Sequence, residues 1–308
     1  MTMKMKNTLC NSGGNSGRDF GRDFRKMHGL GNDFVIFDGR SDRLDLTADQ
    51  ARHIADRNRG IGCDQIITLL PSTKANAFMR IQNADGSEVS ACGNATRCIG
   101  DILLTEGNLL KVTIETGAGI LTAVRAGDLI TVDMGIPLRR WHEIPLAQNL
   151  AQNLSQNQAQ NQVQNQDTAN LDLTVGPLSH PVAVNMGNPH VVFFVDDVEA
   201  ILLDEFGPKI ENHALFPERV NVSIVEDRGN GHLRQRVWER GAGITAACGS
   251  AACAGIVAAS LRGLAHRSAS IEMDGGILHM IWDDADHVQM SGGVTYVYDG
   301  QIDLDQMS

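Results

Sequence analysis

One five-residue stretch occurs twice in this 308-residue chain. Ala91-Cys92-Gly93-Asn94-Ala95 returns 156 positions later as Ala247-Cys248-Gly249-Ser250-Ala251. Upstream, Asn32 of Gly31-Asn32 precedes Cys92 by 60 positions, and Asn188 of Gly187-Asn188 precedes Cys248 by the same 60. The common offset also carries Gln65 onto Asn221 and Asn83 onto Glu239. So many points on one offset imply duplication of a whole unit. The chain is therefore expected to fold as two similar halves, with the two cysteine motifs facing a shared cleft.

Within each half the motif cysteine stands at a turn, followed by Gly, a small polar residue and an apolar run of helical length. That pattern places a thiol at a helix N-terminus. Around each helix the sequence alternates short β-type runs with turn signals. In the first half these are Phe34 to Phe37, Gln65 to Leu70, Ala77 to Gln82, Lys111 to Glu115, Ile120 to Arg125 and Leu129 to Met134. Thr47-Ala48-Asp49-Gln50 fits a capping box that opens a helix running to Arg57. The second half repeats the scheme with strands at Val182 to Val184, Val191 to Val195, Val220 to Val225, Leu233 to Trp238, Ile271 to Met273, Gly276 to Trp282 and His287 to Met290. Its helix opens at Gly249, and a last strand, Val294 to Tyr298, returns to the first sheet. The expected class is α+β: two pseudo-symmetric domains, each a barrel-like, mostly antiparallel sheet around a central helix. Residues 25–136 plus 294–308 form the half carrying Cys92, and 137–293 the half carrying Cys248. Residues 1–24, with a tandem Gly-Arg-Asp-Phe, read as a disordered extension. Between 146 and 170, Gln-Asn recurs every four residues, a low-complexity insertion in which only Leu146, Leu150 and Leu154 offer an apolar stripe.

Composition narrows the partners. A net charge of −11 disfavours nucleic acid. No apolar run reaches the roughly 18 to 20 residues of a membrane span, and no hydrophobic leader is evident, so a cytosolic protein is expected. The six cysteines (10, 63, 92, 98, 248 and 253) are irregularly spaced, without a Cys-x-x-Cys pair, which points to reduced thiols and no structural metal. No lysine stands in a phosphate-binding, glycine-rich context, so no pyridoxal cofactor is expected.

Two thiols brought together by symmetry suggest a specific chemistry. A helix N-terminus lowers a thiol from about 8.5 by about one unit or more, which makes a base near neutral pH. A thiolate on one face of a carbon and a thiol on the other can remove a proton and return one with inversion. The backbone N–H groups of Gly93-Asn94 and Gly249-Ser250 would hold a carboxylate and the charge that builds on it. Asn32, Gln65, Asn83, Asn188 and Asn221 read as partners for a polar zwitterion. His190 and Glu239-Arg240 break the symmetry and point to one charged end of an asymmetric substrate. Cys63, Cys98 and Cys253 read as packing residues.

These motifs resemble one family. Lys26-Met27-His28-Gly29-Leu30-Gly31-Asn32-Asp33-Phe34, Arg59 to Gln65, Asn83 to Glu88 running into the first cysteine motif, Gly187-Asn188-Pro189-His190, Glu218 to Val222, and Glu239 to Gly243 running into the second motif are similar to the diaminopimelate epimerases. The resemblance spans nearly everything from residue 26 onward except the Gln-Asn insertion. It implies a cofactor-independent isomerase that interconverts LL- and meso-diaminopimelate in lysine biosynthesis. It also implies Cys92 and Cys248 as base and acid, with His190 and Glu239 supporting proton transfer. Asn32, Gln65, Asn83, Asn188, Asn221, Glu239 and Arg240 would bind substrate, together with Gly93, Asn94, Gly249 and Ser250, in a protein that is usually a homodimer. Two positions depart from the pattern: Ile244 stands where many members have Glu, and Ala95-Thr96 replaces Gly-Ala. A proline racemase-like relative is the nearest rival, but such relatives often have His after the first Cys-Gly, where this chain has Asn94. A thiol redox or metal protein would instead join Cys92 to Cys248. A plain binding module would leave two activated thiols without a task.

Overall fold

The computed structural model describes residues 21–147 and 168–304. The first half contains β1 (Arg22–Gly29), β2 (Asn32–Asp38), α1 (Ala48–Ala55), β3 (Gln65–Leu70), β4 (Ala77–Asn83), β5 (Glu88–Val89), α2 (Gly93–Gly107), β6 (Lys111–Thr116), β7 (Gly119–Ala126) and β8 (Leu129–Asp133). After a short hairpin of β9 (Thr174–Val175) and β10 (Leu178–Ser179), the second half contains β11 (Val182–Asn185), β12 (Pro189–Phe194), α3 (Leu203–Glu211), β13 (Asn221–Asp227), β14 (His232–Glu239), β15 (Gly243–Thr245), α4 (Gly249–Leu261), β16 (Ser268–Met273), β17 (Gly276–Trp282) and β18 (Val288–Gly292). Then β19 (Thr295–Ile302) follows.

Seventeen of these strands belong to one hydrogen-bonded system, and its registers preserve the duplication seen in the sequence. Parallel β2 and β3 pair Phe34 with Gln65, and parallel β12 and β13 pair His190 with Asn221. Antiparallel β3 and β4 put Gln65 opposite Asn83. In the second half, the register that pairs Val222 with Trp238 puts Asn221 opposite Glu239. Strand register is set by which face is buried, so the two hydrophobic patterns produce the same pairing twice. The halves join where β8 and β18 pair antiparallel, Val132 opposite Met290.

Each sheet curls about its own helix. Helix α2 packs on β1, β6, β7 and β8, and α4 packs on β11, β12, β16 and β17. On α2, Cys98, Ile99, Ile102, Leu103 and Leu104 face inward, while Thr105 and Glu106 face solvent. Every residue of α4 from Ala251 to Ala259 is buried. A helix apolar on all sides is one enclosed on all sides, and each fully buried Ile or Val there contributes roughly 1.5–3 kcal/mol. The capping box forms as expected: Thr47 Oγ1 accepts from the Gln50 backbone at 3.2 Å, and the Gln50 side chain accepts from the Thr47 backbone at 3.0 Å. The β1–β2 turn puts Leu30 (φ 55°) and Gly31 (φ 85°) in the left-handed region and delivers Asn32 to the start of β2.

Three details differ from the sequence reading. Residues 22–24, expected in the extension, are the start of β1, which pairs with β2 on one side and with β19 on the other; Phe24 is buried among Val35, Phe37 and Ile54. The second copy of the tandem repeat therefore opens a strand, and residues 1–20 lie outside the described residues. Of the insertion, Leu146 is buried against the second half's outer core, whereas Leu150, Leu154 and the Gln-Asn repeats lie outside the described residues. Helix α3, with Pro208 inside it, was not anticipated. It forms on burial of Leu203 and Ile210.

Candidate active site

Both motif cysteines are helix N-caps in extended conformation, Cys92 at φ −148°, ψ 113° and Cys248 at φ −130°, ψ 115°. The two helix starts meet. A Cβ built on Gly249 would lie 3.6 Å from the Cα of Gly93, and both glycines rest on the Met290 thioether. Asn94 ties the halves together, its Nδ2 donating to Asn32 Oδ1 at 3.2 Å and to the Ala247 carbonyl at 3.3 Å.

Around Cys92, the nearest side-chain partner of Sγ is Asn32 Oδ1 at 3.8 Å, and Asn32 Nδ2 donates to Asp64 at 2.9 Å. Around Cys248, Sγ lies 3.5 Å from Ser250 Oγ and is hydrogen-bonded to the Glu239 carboxyl. Thr245 Oγ1 donates to Glu239 Oε1 at 2.5 Å and so holds that carboxyl in place. Gln65 Nε2 donates to Asn83 Oδ1 at 2.9 Å, across the strand pair the register predicts. His190 Nε2 lies 2.9 Å from Asn188 Oδ1. Asn221 donates to the Pro189 carbonyl and accepts from the Arg240 backbone N–H, both at 2.9 Å.

Contacts join Asn32 and Asn94 to the Cys92 motif and Ser250 and Glu239 to Cys248, while Gln65 with Asn83, His190 with Asn188, and Asn221 with Arg240 form separate hydrogen-bonded pairs. The side chains of Asn94 and Asn221 are buried and engaged in protein hydrogen bonds. Asp64, Arg97 and Thr245 also contact this set, Asp64 through Asn32, Arg97 through Asn94 and Met290, and Thr245 through Glu239.

Electrostatics overturn one expectation. The helix starts were expected to lower the thiols, yet burial pushes Cys92 up to about 11, against smaller lowering by the Ala95 and Asn94 N–H groups. Cys248 is driven well above its usual range by burial and by the Glu239 charge. Desolvation of a sulfur anion outweighs a helix dipole when water is withdrawn. Glu239 is itself raised by burial, despite hydrogen bonds from Thr245 and Cys248. His190, wholly buried, is held down to about 3 by burial and by the nearby Arg240 charge, so it acts as a neutral imidazole.

The fold is shared with a class of solved structures that includes epimerases. It matches a predicted epimerase from Pseudomonas aeruginosa (TM-score 0.63, 19% identity, covering 91% of this chain and 99% of that one). It also matches a hydroxyproline epimerase from Agrobacterium vitis with bound trans-4-hydroxy-L-proline (TM-score 0.61, 14% identity, 92% and 93% covered). Sequence similarity narrows the class. The family description "Diaminopimelate epimerase" matches residues 24–139 and 182–297, the two halves in turn. Diaminopimelate epimerases of Acidiphilium cryptum and Rhodospirillum centenum are 49% and 48% identical, over 90% of this chain and 95% and 91% of theirs. The chain belongs to the diaminopimelate epimerase family, a family of isomerases. No described helix is long and apolar enough to cross a membrane.

Proposed function

We propose that the protein interconverts LL- and meso-2,6-diaminopimelate by a two-base mechanism, with Cys92 and Cys248 as the paired base and acid. A thiolate takes the α-proton from one face of the carbon and becomes a thiol. The opposite thiol delivers its proton to the other face and becomes the thiolate, so protons and charge balance. The N–H groups at the starts of α2 and α4, on Gly93, Asn94, Gly249 and Ser250, receive the carboxylate next to the reacting carbon and stabilise its charge as the proton leaves. Asn32, Gln65, Asn83, Asn188, Asn221, Glu239 and Arg240 bind and orient the rest of the zwitterion. Arg240 and Glu239, confined to one half, distinguish the distal end from the reacting end. His190 supports proton transfer by hydrogen bonding alone, because its ring stays neutral. Burial raises both thiols, so the thiolate is made when substrate is bound and its ammonium faces the sulfur.

The observation that carries this reading is the meeting of the two cysteine-capped helix starts, Gly93 Cα lying 3.6 Å from where a Cβ on Gly249 would stand. The free thiols of the five described cysteines suit a cytoplasmic enzyme. A homodimer is supported by β19, an edge strand whose Tyr296, Val297 and Tyr298 are all exposed. The test is the proton NMR spectrum of LL-diaminopimelate with the reduced protein in D₂O. Appearance of meso product with deuterium at one α-carbon is expected; binding without exchange or isomerisation would overturn the assignment.

A further inference from the structure

Glu211, the last residue of α3, carries a buried carboxylate on which three donors converge. Oε1 accepts from the Gly241 backbone N–H at 3.0 Å and from Arg219 Nη1 at 3.3 Å, and Oε2 accepts from the indole Nε1 of Trp238 at 2.7 Å. Trp238 and Gly241 stand on either side of Glu239-Arg240, the charged pair that breaks the symmetry of the halves. Arg219 follows Glu218, whose carbonyl accepts from Arg240 Nη1 at 2.9 Å. One carboxylate thus grips both the turn that carries Arg240 and the segment that receives its guanidinium. The helix comes close enough because Gly207, one turn before Glu211, lets the Trp238 ring lie against it: a Cβ there would stand 2.6 Å from the indole. The 156-residue offset carries α1, residues 48–55, onto 204–211 within α3, with Ala55 onto Glu211, Gln82 onto Trp238 and Ala84 onto Arg240. The first half therefore lacks the carboxylate, the indole and the charged pair together.

We propose that Glu211 is a positioning residue for recognition of the substrate's distal end: it holds the Trp238–Gly241 turn so that Arg240 is set to receive a carboxylate on the far stereocentre. The inference rests on the assignment of Glu239 and Arg240 to that end, made above. Glu239 has a hold of its own, because Thr245 Oγ1 donates to it at 2.5 Å. Arg240 is held by its backbone N–H on Asn221 Oδ1 and by its guanidinium on the Glu218 carbonyl, and Glu211 steadies the chain neighbour of each end of that arrangement, Gly241 and Arg219. Loss of Glu211 should therefore fall on Arg240 and on binding, and spare the proton transfer at Cys248. Glutamine in its place keeps the size but turns one acceptor into a donor. All three partners are donors, so at least one hydrogen bond becomes a meeting of two N–H groups.

The test is calorimetric titration of the full chain with LL-diaminopimelate and with L-lysine, the same molecule without the distal carboxylate. The unsubstituted protein should bind diaminopimelate more tightly than lysine; equal affinity would overturn this inference together with the assignment of Arg240. Glu211→Gln should weaken diaminopimelate about tenfold and leave lysine nearly unchanged, whereas a residue that only supports the fold would weaken both alike. Arg240→Met should remove the same preference, and the double variant should lose little more than Arg240→Met alone, because one residue acts through the other. In turnover, KM of Glu211→Gln should rise about tenfold with kcat changed far less. Glu211→Asp keeps the charge but withdraws it by one methylene; it should lose part of the preference, and it carries the test if Glu211→Gln does not fold. An undiminished preference in either folded variant, equal weakening of both ligands, or additive losses in the double variant would overturn the proposal. Binding needs no turnover, so absence of epimerisation would refute the two-thiol chemistry while the titrations still decide this inference.

Discussion

Glu239→Gln separates thiol reactivity from turnover. Glu239 is hydrogen-bonded to Cys248, held by Thr245, and opposes ionisation of both cysteines. For Cys248 its charge ranks second only to burial; for Cys92 it ranks below burial and the Ala95 N–H. Glutamine keeps the size and one acceptor but removes the charge. A like charge beside a buried acid moves it by roughly 1–3 units, so the pH midpoint of Cys248 alkylation should fall by about one unit and that of Cys92 by less. One unit equals about 1.4 kcal/mol, so at a pH below the midpoint Cys248 should be alkylated about tenfold faster. Epimerisation should move the other way, down at least about tenfold, because the group that supports the proton at Cys248 is gone. Alkylation is followed by peptide mass spectrometry and turnover by NMR on the same preparation. Slower or unchanged alkylation of Cys248 in a folded variant would refute the reasoning, since the carboxylate would then not be the charge that holds that thiol protonated.

Other expectations follow from the same geometry. Cys92→Ala and Cys248→Ala should each abolish epimerisation with far-UV circular dichroism unchanged; turnover retained by both would exclude a two-base mechanism. Gly255→Ala should destabilise by about 1–3 kcal/mol in urea unfolding, because its Cβ would meet buried Gln235 Oε1 at 2.3 Å, and a stability equal to wild type would show that Gln235 can yield. Asp33 bears on acid stability. Burial would raise its pKa, but hydrogen bonds and charge from Arg57 and Lys26 prevail and hold it down to about 2. A carboxyl depressed in the folded state contributes stability above its unfolded value, near 3.8, and loses it as pH falls through about 2. Asp33→Asn should therefore cost about 1 kcal/mol near neutrality, after allowance for solvent screening, and progressively less below pH 4, as read by urea midpoints at pH 6 and pH 3.

Much of the fold was legible because duplication converts sequence offsets into strand register. Gln65 opposite Asn83 and Asn221 opposite Glu239 are the same pairing, and the shared offset already implied it. Both motif helices begin at their glycines for the same reason. The losses came where long-range packing decides. Arg22 to Phe24 looked like tail until β19 supplied a partner from the far end of the chain. Helix α3 carries Gly207 and Pro208 and forms only because Leu203 and Ile210 are buried against the second sheet. Nothing in the residues around Arg97 marks it as enclosed between Gly29 and Gly292. The direction of the cysteine shifts was missed because the sequence reveals the helix start but not the exclusion of water around it.

The strand pair β1–β19 has a consequence for how the molecule can be made and divided. A hydrogen bond from Gln301 to Asp23 spans 278 positions, so the first sheet receives its outer strand only after the second half has been synthesised. The second sheet takes its own edge contact from upstream, where Leu138 bridges Asn185. Although the two halves descend from one duplicated unit, a single cut between them would leave the first piece with β1 exposed along one side, open to pairing with another chain. Vectorial synthesis therefore holds the early half incomplete until the late one arrives, and a split version of this protein would need its last strand supplied in trans to the fragment that carries Cys92.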